Sequence, residues 1–66
     1  MQIQVNGDSL QVDSGITLNE LITQLDLGDK RIAVELNLEI IPRSEHVETY
    51  LSEADRIEIV HAIGGG

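Results

Sequence analysis

The sequence contains no cysteine, tryptophan or phenylalanine, and only one proline and one tyrosine, Tyr50. Without cysteine there is no disulfide framework, no thiolate metal site and no cysteine chemistry carried by the chain itself. Small secreted domains usually need disulfide staples, so an intracellular, cytoplasmic setting is expected. With one aromatic side chain, the core has to be aliphatic. Basic residues are also scarce: 4 Lys and Arg stand against 12 Asp and Glu, for a formal charge of −8. Nucleic-acid backbone and anionic membrane surfaces are engaged by clustered cations, so neither is an expected partner; a basic protein surface is. No apolar run approaches the ~20 residues that span a bilayer, and the first residues do not pair a charged leader with an apolar stretch. At 66 residues, 41% of them hydrophobic, the chain can bury one small core, only about 60% of the surface exposed by its unfolded form.

The hydrophobic pattern divides the chain into short elements. Met1, Ile3 and Val5 alternate with Gln2 and Gln4, the period-2 signature of a half-buried strand. Asn6-Gly7 offers the pair of positive φ values required by a two-residue hairpin turn. Ser9 to Asp13 alternates again, with Leu10 and Val12 on the apolar side. Thr17 and Glu20 form a capping box, and Leu18, Leu21, Ile22 and Leu25 recur at helical spacing, predicting a helix over 17–27 that Gly28 ends in the left-handed conformation. A third strand is predicted over Ile32–Leu36. Asn37, Leu38 and Glu39 then turn the chain into a short strand, Ile40-Ile41, kept at an edge by Pro42. Residues 43–50 lack a firm period and predict one irregular helical turn. The last strand is predicted over Arg56–Ile63, with Ile57 and Ile59 facing the core and Arg56 and Glu58 facing water. This order specifies an α+β fold of β-grasp type: a mixed four- to five-stranded sheet with one main helix across one face, and the first and last strands as central neighbours. Its domain occupies 1–63, and residues 64–66 form a flexible glycine tail.

Side chains suited to catalysis are not arranged for it. His46 and His61 are far apart and in no ligand-pair motif, so each is expected to be a surface or strand histidine, and no metal site is expected. The carboxylates form no recognisable acid–base pair and read as a solvated face. No phosphate-binding glycine loop of the G-x-x-x-x-G-K-[ST] kind is present. The chain is therefore expected to have no catalytic residues of its own and to bind no cofactor. The distinctive feature is Val60-His61-Ala62-Ile63-Gly64-Gly65-Gly66. Val60 and Ala62 break the polar parity of Arg56 and Glu58 and leave an apolar ribbon facing outward. With Ile63, they are the candidate docking residues. Gly64, Gly65 and Gly66 are expected to enter a partner's active site, because a glycine run passes through a channel too narrow for side chains. The carboxylate of Gly66, ionised at neutral pH, becomes electrophilic once it is converted to an acyl-adenylate.

These features, in this order, resemble the ThiS family, the ubiquitin-like sulfur carriers of thiamine biosynthesis. The pieces that carry the resemblance are Val5-Asn6-Gly7, Thr17-Leu18-Asn19-Glu20-Leu21, Ala33-Val34-Glu35-Leu36-Asn37, Glu39-Ile40-Ile41-Pro42-Arg43, Asp55 to Val60 and the terminal diglycine Gly65-Gly66. The resemblance implies that a ThiF-type enzyme adenylates Gly66 with ATP and Mg2+, both belonging to that partner. A sulfurtransferase relay then converts the adenylate to a thiocarboxylate, which delivers sulfur to thiazole synthase (ThiG). Two rival readings are the small subunit of molybdopterin synthase, whose relatives are usually longer, richer in aromatic residues and reach the diglycine through proline, and a non-covalent ubiquitin-like module with an inert tail.

Overall fold

The structure, a computed structural model, describes residues 1–28 and 30–61. The predicted hairpin forms from β1 (Gln2–Val5) and β2 (Asp8–Gln11), antiparallel in the register Gln2 to Gln11 through Val5 to Asp8. Its turn places Asn6 at φ 51° and Gly7 at φ 87°, the left-handed pair for which an Asn-Gly dipeptide carries little steric cost. Val12, just past β2, remains tied to the chain start: its amide donates to the Met1 carbonyl at 2.8 Å, and the Met1 amino group donates to the Val12 carbonyl at 2.7 Å.

Helix α1 covers Leu18–Gln24, with Thr17 as its N-cap. The capping box is complete. Thr17 Oγ1 accepts from the Glu20 amide at 3.1 Å, and the Thr17 amide donates to Glu20 Oε1 at 2.9 Å, satisfying amides that the first turn cannot pair internally. The helix ends earlier than the glycine signal suggested. Asp26, not Gly28, takes the left-handed position at φ 61°. The Leu27 amide reaches back to the Ile22 carbonyl and the Asp26 amide to the Thr23 carbonyl, both at 3.0 Å. This paired closure ends a helix while turning an apolar side chain back onto it. Leu27 is that side chain, half-buried against the core, and its packing outweighs the conformational preference that pointed to Gly28.

Strand β3 covers Ile32–Leu36 as expected, and β4 is the two residues Glu39–Ile40. The shift of β4 by one residue exposes Ile40 and leaves Ile41 half-buried. The unsettled stretch after Pro42 is a 3-10 helix over Arg43–Glu48. It overturns the expectation for His46, which is buried at 5% exposure. His46 Nε2 lies 3.0 Å from the Ile41 carbonyl oxygen; because a carbonyl can only accept, this nitrogen carries the proton. Burial is tolerated because that bond is made. Arg43 Nη2 donates to the Gly28 carbonyl at 2.9 Å, fastening the 3-10 helix to the loop after α1.

The described part of the last strand, β5, covers Arg56–His61. The sheet order is β2-β1-β5-β3-β4: β5 runs parallel to β1 and antiparallel to β3, so the expected neighbours are at the centre. Helix α1 lies over one face. Between helix and sheet sits an aliphatic core in which Ile3, Leu18, Leu21, Val34 and Ile57 are essentially without solvent contact, joined by Ile22 and Ile59. This is the β-grasp arrangement, and it sets the two faces of β5 apart: Ile57 and Ile59 inward, Arg56, Glu58 and Val60 outward.

Candidate functional site

Strand β5 alternates sides because its Cβ atoms do, so the core packing of Ile57 and Ile59 forces Val60 onto the open face, where it is 58% exposed. That much agrees with the sequence-based expectation. Ala62, Ile63, Gly64, Gly65 and Gly66 lie outside the described residues, and so does the expected division between a domain over 1–63 and a tail over 64–66. His61, the last described residue of β5, is exposed and lies opposite Ile32 of β3. Among the described residues no group of three or more His, Asp or Glu side chains could hold a metal ion, and no helix is long and apolar enough to cross a membrane.

The sheet gathers neighbours for Val60 that periodicity did not reveal. In the β3–β5 register Ala33 faces Val60 and Glu35 faces Glu58, while in the β3–β4 register Ile40 faces Glu35. Directly opposed residues share a face, so Val60, Ala33 and Ile40 form an aliphatic border around the Glu35–Glu58 carboxylate pair. Ile40 is 73% exposed and Leu38, in the adjoining turn, 79%. Leu38 has φ 73° and Asn37 φ 50°. A left-handed conformation costs a bulky L-residue roughly 1–2 kcal/mol, and at its exposure Leu38 recovers little of that by burial. Leu38, Asn37, Arg56 and Glu58 line a shallow depression of about 130 Å3. Two carboxylates stand directly opposed, with Arg56 beside Glu58 in the same depression, and Leu38 is strained and exposed; a cationic, partly apolar surface would complement this face. The sequence signal for Ile40 was its parity opposite to Ile41. For Leu38 it was a bulky residue where glycine is the usual second member of the turn.

Comparison with known proteins agrees with this architecture. The ThiS family model matches residues 2–66. The sulfur carrier protein ThiS of Bacillus subtilis is 39% identical over 66 residues, covering 97% of this chain and 98% of that protein. A thiazole synthase of Paramagnetospirillum magneticum is 35% identical over 66 residues; the match spans 100% of this chain but only 20% of that protein's length. Among solved structures, the crystal structure of the thiamine biosynthesis protein ThiS from Geobacter metallireducens superposes with a TM-score of 0.87 at 30% identity, covering 100% of both chains. By sequence over nearly its whole length, and by the β-grasp fold of its described residues, the chain belongs to the ThiS family.

Proposed function

We infer that the chain is a sulfur carrier in thiamine biosynthesis and that its reactive atom is the carboxyl carbon of Gly66. The observation that carries this reading is the family match over residues 2–66, which includes Gly65 and Gly66. In the proposed first step a carboxylate oxygen of Gly66 attacks the α-phosphorus of ATP. An O–P bond forms, the α–β phosphoanhydride breaks and pyrophosphate leaves. The resulting mixed anhydride makes the carbonyl carbon electrophilic. The terminal sulfur of a persulfide then displaces AMP, and a thiol cleaves the acyl disulfide to leave a thiocarboxylate on Gly66. A ThiF-type adenylating enzyme supplies ATP and Mg2+, a sulfurtransferase relay supplies the persulfide, and thiazole synthase accepts the sulfur, all in the cytoplasm. The similarity to part of a thiazole synthase supports the last partnership. The chain contributes a substrate terminus and a docking surface, and no catalytic groups of its own.

Intact-mass spectrometry tests the reading. After incubation with a ThiF-type enzyme, ATP, Mg2+ and a persulfide source, a protein ending at Gly66 gains AMP and then exchanges one terminal oxygen for sulfur. A mass that stays unchanged, under conditions that modify the Bacillus subtilis carrier, would instead identify a non-covalent module.

Docking is proposed to use Val60, with Ala62 and Ile63 beyond it and Ile40 and Leu38 beside it, against a surface that brings cations to Glu35 and Glu58. Val60→Glu would place a third carboxylate on this face without entering the core. The carrier concentration needed for half-maximal adenylation should rise about tenfold, roughly 1.4 kcal/mol of binding, while the thermal unfolding midpoint stays near that of the parent. A midpoint that drops as steeply as binding would assign Val60 to the core instead.

A further inference from the structure

Strand β1 is too short to accompany β5 to its end. Their paired positions are Gln4 with Arg56 and Val5 with Ile57, and the last backbone bond between them runs from the Asn6 amide to the Ile57 carbonyl at 2.9 Å. At Asn6 the backbone turns away into the hairpin. The next ladder groups of β5, the amide and carbonyl of Ile59, would then face an empty edge, and the Asn6 carboxamide fills it. Asn6 Oδ1 accepts from the Ile59 amide at 2.7 Å, and Asn6 Nδ2 donates to the Ile59 carbonyl at 3.1 Å. One side chain thus replaces the carbonyl and amide that a longer β1 would have offered. Past Ile59, the described part of β5 is held by strand pairing only from the β3 side, through Ala33 to Val60 and Ile32 to His61.

We propose that Asn6 is a positioning residue for the reaction at Gly66, holding the β1 side of β5 as far as Ile59 so that the strand leading to the terminus does not fray. This rests on the carrier reading. A partner that draws the terminal residues into its active site must order every residue released from the sheet. Each further backbone residue to be ordered lowers the population of reactive complexes roughly 5- to 30-fold. By pairing the β1 side of β5 at Ile59, Asn6 keeps the strand from fraying on that side and so keeps that number small. A second asparagine supplies the control. Asn37, at the same place in the β3–β4 turn, clamps the opposite end of the strand: its Oδ1 accepts from the Arg56 amide and its Nδ2 donates to Asp55 Oδ1, both at 3.0 Å.

The experiment compares Asn6→Gly with Asn37→Gly. Glycine accepts the positive φ at either position, so each turn survives and only the carboxamide is lost. Adenylation of each full-length carrier by a ThiF-type enzyme with ATP and Mg2+ is followed by intact mass, alongside amide hydrogen exchange. In Asn6→Gly, exchange at Ile59 should accelerate at least tenfold while Ile3 and Val34 stay protected. The adenylation rate at saturating carrier should fall about tenfold, with the half-saturating concentration within twofold of the parent. Asn37 lines the docking depression, so Asn37→Gly is expected to act on the half-saturating concentration alone, and its rate at saturating carrier should match the parent. An undiminished rate in Asn6→Gly, unchanged exchange at Ile59, or equal slowing in both variants would overturn the proposal. A parent chain that never gains AMP, when the Bacillus subtilis carrier does, would overturn the carrier reading and this inference with it.

Discussion

Deleting Gly66 should abolish AMP incorporation and leave the thermal unfolding transition unchanged. The carboxylate of the shortened chain would sit one residue back, up to about 3.3–3.6 Å from its former position. In-line attack requires reacting atoms about 3–3.5 Å apart, and a misplacement of one ångström already costs on the order of 10²-fold. Stability should not respond, because the core residues among those described lie between Ile3 and Ile59. Intact mass after incubation with the activating enzyme, together with a circular-dichroism melt, checks both halves. A truncated chain that acquires AMP at the parental rate would show that the reactive position is not the Gly66 carboxylate.

Ile57→Ala should have the largest effect on the fold itself. Ile57 is 1% exposed at the centre of the sheet, paired with Val5 on β1 and Leu36 on β3. Hydrogen-bonded strands on both sides leave little room for the site to collapse, so truncation should cost about 2–5 kcal/mol. A domain of this size has roughly 3–10 kcal/mol in total. The unfolding midpoint should therefore fall by roughly 10 °C or more, and the lower-stability outcome is a chain largely unfolded at physiological temperature. Calorimetry or chemical denaturation measures the loss. A cost under about 1 kcal/mol would mean that the sheet repacks around the missing atoms.

Elements governed by neighbours in sequence were legible without coordinates. The Asn6-Gly7 turn follows from two φ preferences, and the Thr17–Glu20 capping box from two side chains three residues apart. The parity of Ile57, Ile59 and Val60 follows from strand geometry, which already separated the core from the candidate docking ribbon. Where two local signals competed, tertiary packing chose between them. Gly28 was the better residue for a left-handed helix end, but Asp26 takes it because the closure then delivers Leu27 to the core. His46 looked like a surface residue; the 3-10 helix buries it and the Ile41 carbonyl satisfies its proton. Neither outcome is encoded within the span of residues that a periodicity senses.

What the sequence by itself determined is the set of pieces: an aliphatic α+β domain with one capped helix, an Asn-Gly hairpin, an inward and an outward face for its last strand, and a family resemblance through its glycines. What only the tertiary structure decided is how distant residues complete one another. Ile40 joins Val60 through two strand registers, and Asn6 closes the ladder on Ile59, 53 residues away. The physical reason is range. Backbone preferences and side-chain alternation act over a few residues, whereas a hydrogen bond to an unpaired strand edge is set by where that edge stands once the whole sheet has formed.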